Sequence, residues 1–561
     1  MENEGNGPER NEELDKPASE RREGAPMPDA APVAGSEPVA EIVPRIEMIA
    51  EEAQDSAAQD SAPQDSAADV AEPETGRDEA GLVRAAYEHP LAIRITHWVN
   101  AISLFVMVTS GLRIFRAFPS FGPKIPEQVL MKFLGMAPSK VNLYGRDPRY
   151  DVVLDCSDNV YVMGGAGALH YIDLDGVRRP STMAALEEFT RLEDTLENMD
   201  LAHFLLTPQE IAQEGHEMRV FAHMLKNNTR NFYALPGGCR KGIEFELAMA
   251  AVCAGSVAEV SRRPFMTEGL CVLSPLTHRH GLVEELWACG EHSIPVFVEA
   301  DAAAGGTTPF TIAGCAVEVN ANVLSAIALA QMKNPGAPCI YSSSAGILDM
   351  RALNFSGSAP EATLLHMAST QMAHFYKLPY YGANTPDSKL PDAQMGYEAM
   401  QHFMGLAMAG CNIIHVAIGN LEMMRLASFE ACLIANEILG ATFRFLRGMD
   451  TSREAIGLDA FKEIGHSSRF LEAEHSLRYV RSAERWEPKL TDRHGWQAWM
   501  DLSGGKDMRM RANDEARRIL ANHHPIYTSP AQAKEIDAIA AEAQRWFVER
   551  KARGEPGAFD E

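Results

Sequence analysis

From about Ile125 onward, short apolar runs rich in β-branched and aromatic residues alternate with longer stretches of helical length. The clearest short runs are PFMTEG (264–269), IPVFVEA (294–300), APCIYSSS (337–344), LPYYGAN (378–384) and CNIIHVAIG (411–419). Between them lie segments at 280–292, 313–332, 360–377 and 391–409 that read as helices. Strand–helix alternation of this kind builds a parallel sheet, because each crossover carries a helix back over the sheet face. Units of roughly 30–40 residues suit a (β/α)8 TIM barrel. A doubly wound sheet calls for a glycine-rich dinucleotide turn after its first strand. The only such candidate, GGAG at 164–167, follows VYVM but lies in a stretch that reads as β-hairpins. The expected fold is therefore α/β, a TIM barrel with a disordered acidic N-terminal tail.

The pattern changes before Ile125. Residues 1–80 are rich in Glu, Asp, Pro, Ala and Ser, and QDSA recurs at 54–57, 59–62 and 64–67. Too few apolar groups are present to offset chain entropy, so a disordered tail is expected, and no early apolar stretch suggests a secretory signal. Residues 81–124 form a second segment. Between Arg94 and Arg113 lie 18 residues with one His and no other ionisable side chain, just long enough to span a bilayer. Within 89–118 the words RITHWVNA and SGLRI resemble the first membrane helix of bacterial di-haem b-type cytochromes, which implies an axial ligand at His97. A lone helix cannot bring two axial ligands together, so no haem is expected. Membrane contact through 93–115 is not favoured over packing against the barrel. The barrel itself is expected over 125–535, with a C-terminal helix and tail over 536–561.

Hydrophobic residues make up 46% of the 561, enough for a large core, and the formal net charge is −26. Such an acidic chain lacks the basic footprint of a nucleic-acid binder and suits a soluble cytoplasmic protein. Nine dispersed cysteines with no CxxC pair read as reduced thiols and argue against a structural zinc site. His278 and His280 have no evident companion ligand, so no metal is expected.

In a TIM barrel the chemistry gathers at the C-terminal ends of the strands. Here those ends are polar. PFMTEG carries Glu268, IPVFVEA carries Glu299 with Asp301 next, and APCIY leads into Ser342, Ser343 and Ser344. LPYYG leads into Asn384, Thr385 and Asp387, and NIIHVAIG carries His415. A single loop acid is often only a helix N-cap. Five polar ends on one rim, with carboxylates, hydroxyls and aromatics but no thiol beside a histidine, suit a cation better than an anion. Tyr380, Tyr381, Phe375 and Tyr376 are candidate aromatic faces, the last two reading more readily as core. None of these strands carries an internal lysine for Schiff-base chemistry.

LYGRDPRYDVVL (143–154), GGAGALHYIDLDGVRRPST (164–182), NPGAPCIYSSS (334–344), YGANTPDSKLPDAQMGYE (381–398) and GHSSRFLEAEHSLRYVR (465–481) resemble, in order along the chain, the trimethylamine–corrinoid protein methyltransferase family. The resemblance runs from about Ile125 to about Trp499. It implies a barrel enzyme that moves a methyl group from a methylated amine to the Co(I) corrinoid (cobalamin) of a corrinoid-binding partner protein, acting as a homo-oligomer. Two departures stand out. Where the family usually reads Asn-Ala-Glu, this chain has Asn320, Ala321 and Asn322, with Glu318 one turn earlier. The usual N-terminal helices are replaced by the cytochrome-like segment. A degenerate methylamine-binding barrel, or a barrel of unrelated chemistry, therefore stays open.

The resemblance also bears on substrate. A tertiary amine is a poor leaving group, and archetypal family members carry pyrrolysine, whose imine is thought to activate it. The matching place here is close to Asn384–Pro386, and the chain contains only the common twenty residues. A quaternary nitrogen is already cationic and leaves as a neutral amine, so a betaine-like substrate is expected. Glu268, Glu299, Asn384 and Asp387 are the expected catalytic residues, and Tyr381, Lys389, Arg351 and His415 the expected substrate-binding ones. Lys389 or Arg351 would meet a substrate carboxylate, although Lys389 is equally placed to pair with Asp387 or Asp392.

Overall fold

The computed structural model of the protein describes residues 131–554 apart from 158, 417, 467 and 468. The tail at 1–80 and the apolar segment at 81–124, with His97, lie outside the described residues.

The central element is a parallel sheet of seven strands: β1 (Tyr161–Val162), β2 (Phe232–Ala234), β3 (Met266–Leu273), β4 (Val296–Asp301), β5 (Cys339–Ser343), β6 (Tyr380–Ala383) and β7 (Ile413–His415). Their order is β1-β7-β6-β5-β4-β3-β2. Every neighbouring pair is parallel. The two edge strands are joined through residues 201–202, since Met163 bridges Leu201 and Ala202 bridges Phe232, both in parallel. The sheet is thus curled until its edges meet around that short segment.

Among the described residues, eight helices of twelve residues or more cross over between or follow these strands: α1 (Met183–Asp194), α2 (His216–Asn227), α3 (Arg240–Ala254), α4 (His280–Glu291), α5 (Ile312–Lys333), α6 (Pro360–Phe375), α7 (Ala393–Met408) and α8 (Phe429–Leu446). Two more, α9 (Met508–Asn522) and α10 (Pro530–Ala552), pack outside the layer against α8 and α1, and against α2 and α3. Hydroxyl or carboxylate caps fix several starts. Thr182, Thr311 and Ser428 each accept one backbone N–H, and Asp392 accepts two. The closing helix α10 begins at Pro530, earlier than the pattern suggests, with Ser529 and Gln532 forming a capping box. Helix α5 is the one described helix long and apolar enough to cross a membrane. It packs against β4, β5, α4 and α6, which accounts for its apolar length.

The four helix-length segments and five strand runs agree with the sequence reading to within a few residues at each end. The stretch around 160–180 differs. His170–Ile172 and Arg178–Pro180 do form a hairpin, but VYVM supplies β1 of the central sheet. A strand of two or three residues buried on both faces shows no alternation to reveal it.

Side chains alternate between two cores. Those facing outward, such as Val162, Phe232, Leu270, Val298, Tyr341, Tyr380 and Ile414, join the large core beneath the helices. Those facing inward, including Tyr161, Met163, Tyr233, Phe297, Ile340, Tyr381 and Ile413, form a second cluster. The antiparallel hairpin Val141–Leu143 and Val152–Leu154 belongs to this inner cluster. Its loop bonds to Thr229, Asn231 and Arg263, on the N-terminal sides of β2 and β3, so it plugs that end of the interior. The opposite end, where the strands finish, holds the polar residues.

Candidate functional site

On the inner face near the strand C-termini, Tyr233 from β2, Cys271 from β3, Glu299 from β4, Tyr381 from β6 and His415 from β7 converge with His203. The Tyr233 hydroxyl donates to Glu299 Oε2 at 3.2 Å, and Cys271 Sγ lies 4.0 Å from the same oxygen. Tyr233 reaches this position across Gly269, where any Cβ would fall within 1.8 Å of its ring. Asp301, two residues on and facing the same way, accepts from the Ser344 hydroxyl. Burial, then the nearby Asp301 charge, pushes the Glu299 carboxyl up to about 8.

The remaining lining is aromatic. Tyr233 stacks on Phe297 at 5.5 Å between centroids, Phe297 stacks on Tyr381 at 4.7 Å, and Tyr233 lies 5.6 Å from the His415 ring. His415 bridges two partners: its Nδ1 meets the Tyr381 hydroxyl and its Nε2 lies 3.0 Å from His203 Nδ1. Burial drives His203 down to about 3, and burial with its neighbour His203 holds His415 well below the usual range. Both imidazoles are therefore neutral near pH 7, and His203 Nε2 is buried without a hydrogen-bond partner. The site thus offers two neighbouring carboxyl groups, Glu299 and Asp301, against aromatic faces, with the histidines adding no positive charge. That arrangement favours a cation with little hydration of its own.

Asn384 and Asp387 stand at the exit of β6. The Asn384 backbone N–H reaches the His415 carbonyl at 3.4 Å, which ties the two strand ends together. Asn384 is buried and its Nδ2 has no partner. Asp387 accepts from the Ser356 hydroxyl, and burial raises its carboxyl above the usual range. Lys389 is exposed and donates to the Asp387 carbonyl at 2.7 Å, not to either carboxylate. Arg351 is exposed at the turn between Gly346–Asp349 and Asn354–Ser356, where its backbone N–H donates to Asp349 Oδ1 at 2.7 Å.

Glu268 is elsewhere. It lies three residues into the eight-residue β3, and the alternation set by Gly269 against Tyr233 turns it outward. There it meets Glu246 of α3 and, through space, Glu285 of α4. No donor other than a carboxyl proton of this cluster reaches the Glu246 or Glu268 oxygens. Burial pushes Glu268 up to about 8 and Glu246 well above its ordinary value. The structure thus separates Glu268 from Glu299, which the sequence reading placed on one rim.

Other expectations are revised in the same way. Phe375 is 71% exposed on α6, not core, and Tyr380 faces outward to His366, with 2.8 Å between its hydroxyl and Nδ1. Asn322 is fully buried; its Oδ1 accepts from the Leu276 N–H and its Nδ2 donates to Ser274 Oγ. The amide holds the loop after β3 with both ends, a task for which a carboxylate lacks the donor. His278 bonds Ser325, and no cluster of three or more metal-ligating side chains occurs among the described residues. The residues that sequence reasoning missed are His203, Tyr233 and Cys271. The first two lie in or beside the shortest strands, and Cys271 lies beyond the apparent end of PFMTEG.

Residues 122–554 match the family described as trimethylamine methyltransferase (MTTB). Among curated relatives, the glycine betaine methyltransferase of Desulfitobacterium hafniense is 31% identical over 407 residues, covering 72% of this chain and 83% of its own. Trimethylamine methyltransferase MttB of Methanosarcina barkeri is 29% identical over 429 residues, covering 76% and 86%. Among solved structures, the monomethylamine methyltransferase MtmB of Methanosarcina barkeri aligns with a TM-score of 0.44 at 10% identity, over 72% of this chain and 82% of that one. The match begins at residue 122, so the cytochrome resemblance of residues 89–118 is left without support. On the extent of that match, the chain belongs to the trimethylamine methyltransferase family and is a methyltransferase.

Proposed function

We propose that the curled sheet is a (β/α)8 barrel with residues 201–202 as its eighth strand, and that its open mouth binds a quaternary methylammonium compound. From there a methyl group passes to the corrinoid of a partner protein. The observation that carries this reading is Glu299, buried beside Asp301 and walled by Tyr233, Phe297 and Tyr381. A trimethylammonium head has no N–H to donate, so it is held by aromatic faces and by the Glu299 carboxylate, with Asp301 beside it.

The reduced corrinoid supplies the nucleophile, and it belongs to the partner. This chain's residues orient the N–CH3 bond towards the mouth and keep water away from it. Glu299 and Tyr381 meet the cation, and His415 fixes the Tyr381 hydroxyl. Asn384 and Asp387 shape the rim at the exit of β6. Lys389 and Arg351, on loops at the same end, are the candidates for the carboxylate of a zwitterion. The amine departs neutral, so no general acid is required, in keeping with two neutral histidines and the absence of pyrrolysine. Glu268 serves the barrel wall. A cytoplasmic location follows from the same reading, since reduced corrinoid needs a reducing compartment.

Glycine betaine and 3,3-dimethylbutanoate, its isostere with an uncharged tert-butyl head, test the site. Betaine should bind about five- to thirtyfold more tightly, since one desolvated cation contact is worth roughly 1–2 kcal/mol. Equal affinity for the two would overturn the assignment of the cation site.

A further inference from the structure

His203 lies just past residues 201–202, the segment bridged to β1 and β2. Leu201 belongs to the inner cluster and Ala202 to the outer core, so alternation brings His203 back to the inside. On its other side β1 pairs with β7, which carries His415. The two rings meet across the end of β1, with His203 Nδ1 3.0 Å from His415 Nε2. His415 Nδ1 in turn meets the Tyr381 hydroxyl. All three side chains are buried, and among the described residues no carboxylate touches either imidazole.

A neutral imidazole carries one N–H and one lone pair, and a single hydrogen lies between two bonded ring nitrogens. The chain Tyr381–His415–His203 therefore runs in one of two directions. Started from His203, Nδ1–H donates to His415 Nε2, and His415 Nδ1–H donates to the tyrosine oxygen. Two buried groups are then idle: the Tyr381 O–H, whose one hydrogen-bonding partner among the described residues is His415, and the lone pair on His203 Nε2. Started from Tyr381, the hydroxyl donates to His415 Nδ1, and His415 Nε2–H donates to His203 Nδ1. Only the His203 Nε2–H is then idle. Each idle buried polar group costs stability, which selects the second direction.

We propose that His203 is a positioning residue: by accepting from His415 Nε2–H it fixes the His415 tautomer, keeps the Tyr381 O–H turned to His415, and leaves the Tyr381 oxygen lone pairs to face the substrate cation. The last clause rests on the reading of the site given above; the direction of the chain does not. The reversed chain would turn the hydroxyl hydrogen, the positive end of its dipole, towards the cation. Tyr233 is oriented to the same effect, with its proton committed to Glu299 Oε2. Both tyrosine protons at the site are thus spent on protein partners, and a substrate without N–H groups meets oxygen lone pairs and ring faces. Neutral groups set this polarity, so no further charge has to be buried to hold it.

Nitrogen NMR on the full chain, labelled in histidine, tests the direction with no amine present, so its outcome is separable from the amine reading. Protonated and bare ring nitrogens resonate in separate ranges, and the two rings are assigned by the signals lost in His203→Asn and His415→Gln. Both should carry hydrogen on Nε2 and none on Nδ1. A His415 protonated on Nδ1, or on both nitrogens, overturns the proposal. Tetramethylammonium affinity gives the second readout. His203→Leu removes the acceptor and should weaken binding about fivefold, whereas His203→Asn, whose Oδ1 stands in for Nδ1, should recover most of the loss. In a Tyr381→Phe background, with no hydroxyl to turn, His203→Leu should cost less than about twofold more. An equal loss in that background would make His203 a packing residue and overturn its action through Tyr381. Where His203→Leu fails to fold, the wild-type nitrogen signals still decide. A wild type that binds no tetramethylammonium would sink the cation site, and with it the role of Tyr381, whatever the direction of the chain.

Discussion

If Glu299 meets the cation as proposed, it should tie substrate affinity to pH in a way that a general stickiness for cations would not. Its carboxyl is held up to about 8 by burial and by Asp301, so near pH 7 the empty site carries it largely protonated. On the proposed reading a quaternary ammonium binds the ionised form, so binding should expel the proton. With a free-state value of about 8, roughly one site in ten is ionised at pH 7 and one in a hundred at pH 6. The apparent association constant should therefore rise about tenfold per pH unit from pH 6 towards 8 and level off above it. Titration calorimetry with tetramethylammonium or glycine betaine, repeated in buffers of different ionisation enthalpy, reads this directly. Protons should be released on cation binding at pH 7, and the release should fade as pH rises past 8. Glu299→Gln should bind more weakly above pH 8 and show neither slope nor proton release. Among the buried groups around Glu299, His203 and His415 are already neutral and Tyr233, Tyr381 and Cys271 are pushed upward, so none of these five mimics the effect. A flat affinity in the wild type, or an equal slope in the Gln variant, would refute the assignment.

Three further outcomes follow from neighbouring contacts. Glu268 is raised to about 8 when folded, so its stabilising contribution is complete below the ordinary 4.5 and is lost as pH rises towards 8. Glu268→Gln removes that loss, up to about 1.4 kcal/mol per pH unit, so its melting temperature should gain on the wild type between pH 5 and 8 while betaine affinity is unchanged. Tyr233→Phe removes the donor to Glu299 Oε2. The onset of tight binding should move to higher pH, at a cost of about 1 kcal/mol in affinity at pH 8; an unmoved pH profile would contradict the contact. Asn322→Asp keeps the acceptor for Leu276 but leaves Ser274 without its donor, and chemical denaturation should show a loss of about 1–3 kcal/mol with the pH dependence of betaine binding retained.

The longer elements were legible because their patterns are local. IPVFVEA and APCIYSSS read as buried strands, the segment at 313–332 reads as a helix, and each emerged within a few residues of its expected bounds. The facing of side chains was less legible. Glu268 and Glu299 both read as acids near a strand end, but β3 continues five residues beyond Glu268 and its alternation places Gly269 and Cys271 inside. The same limit hid Tyr233 and His203, whose strand context is two or three residues long and is fixed by pairing across the sheet. Asn322 read as a lost carboxylate because its partners, Leu276 and Ser274, are more than forty residues away.

The central claim, methyl transfer from a quaternary amine to corrinoid, is tested most directly by following corrinoid absorbance in single turnover. The full chain would be mixed with a reduced corrinoid protein and either glycine betaine or another quaternary amine, with trimethylamine run in parallel. A quaternary amine should methylate the corrinoid stoichiometrically, and trimethylamine should give little or no change, because the chain lacks the pyrrolysine that would activate its leaving group. Efficient transfer from trimethylamine, or none from any quaternary amine, would contradict the account.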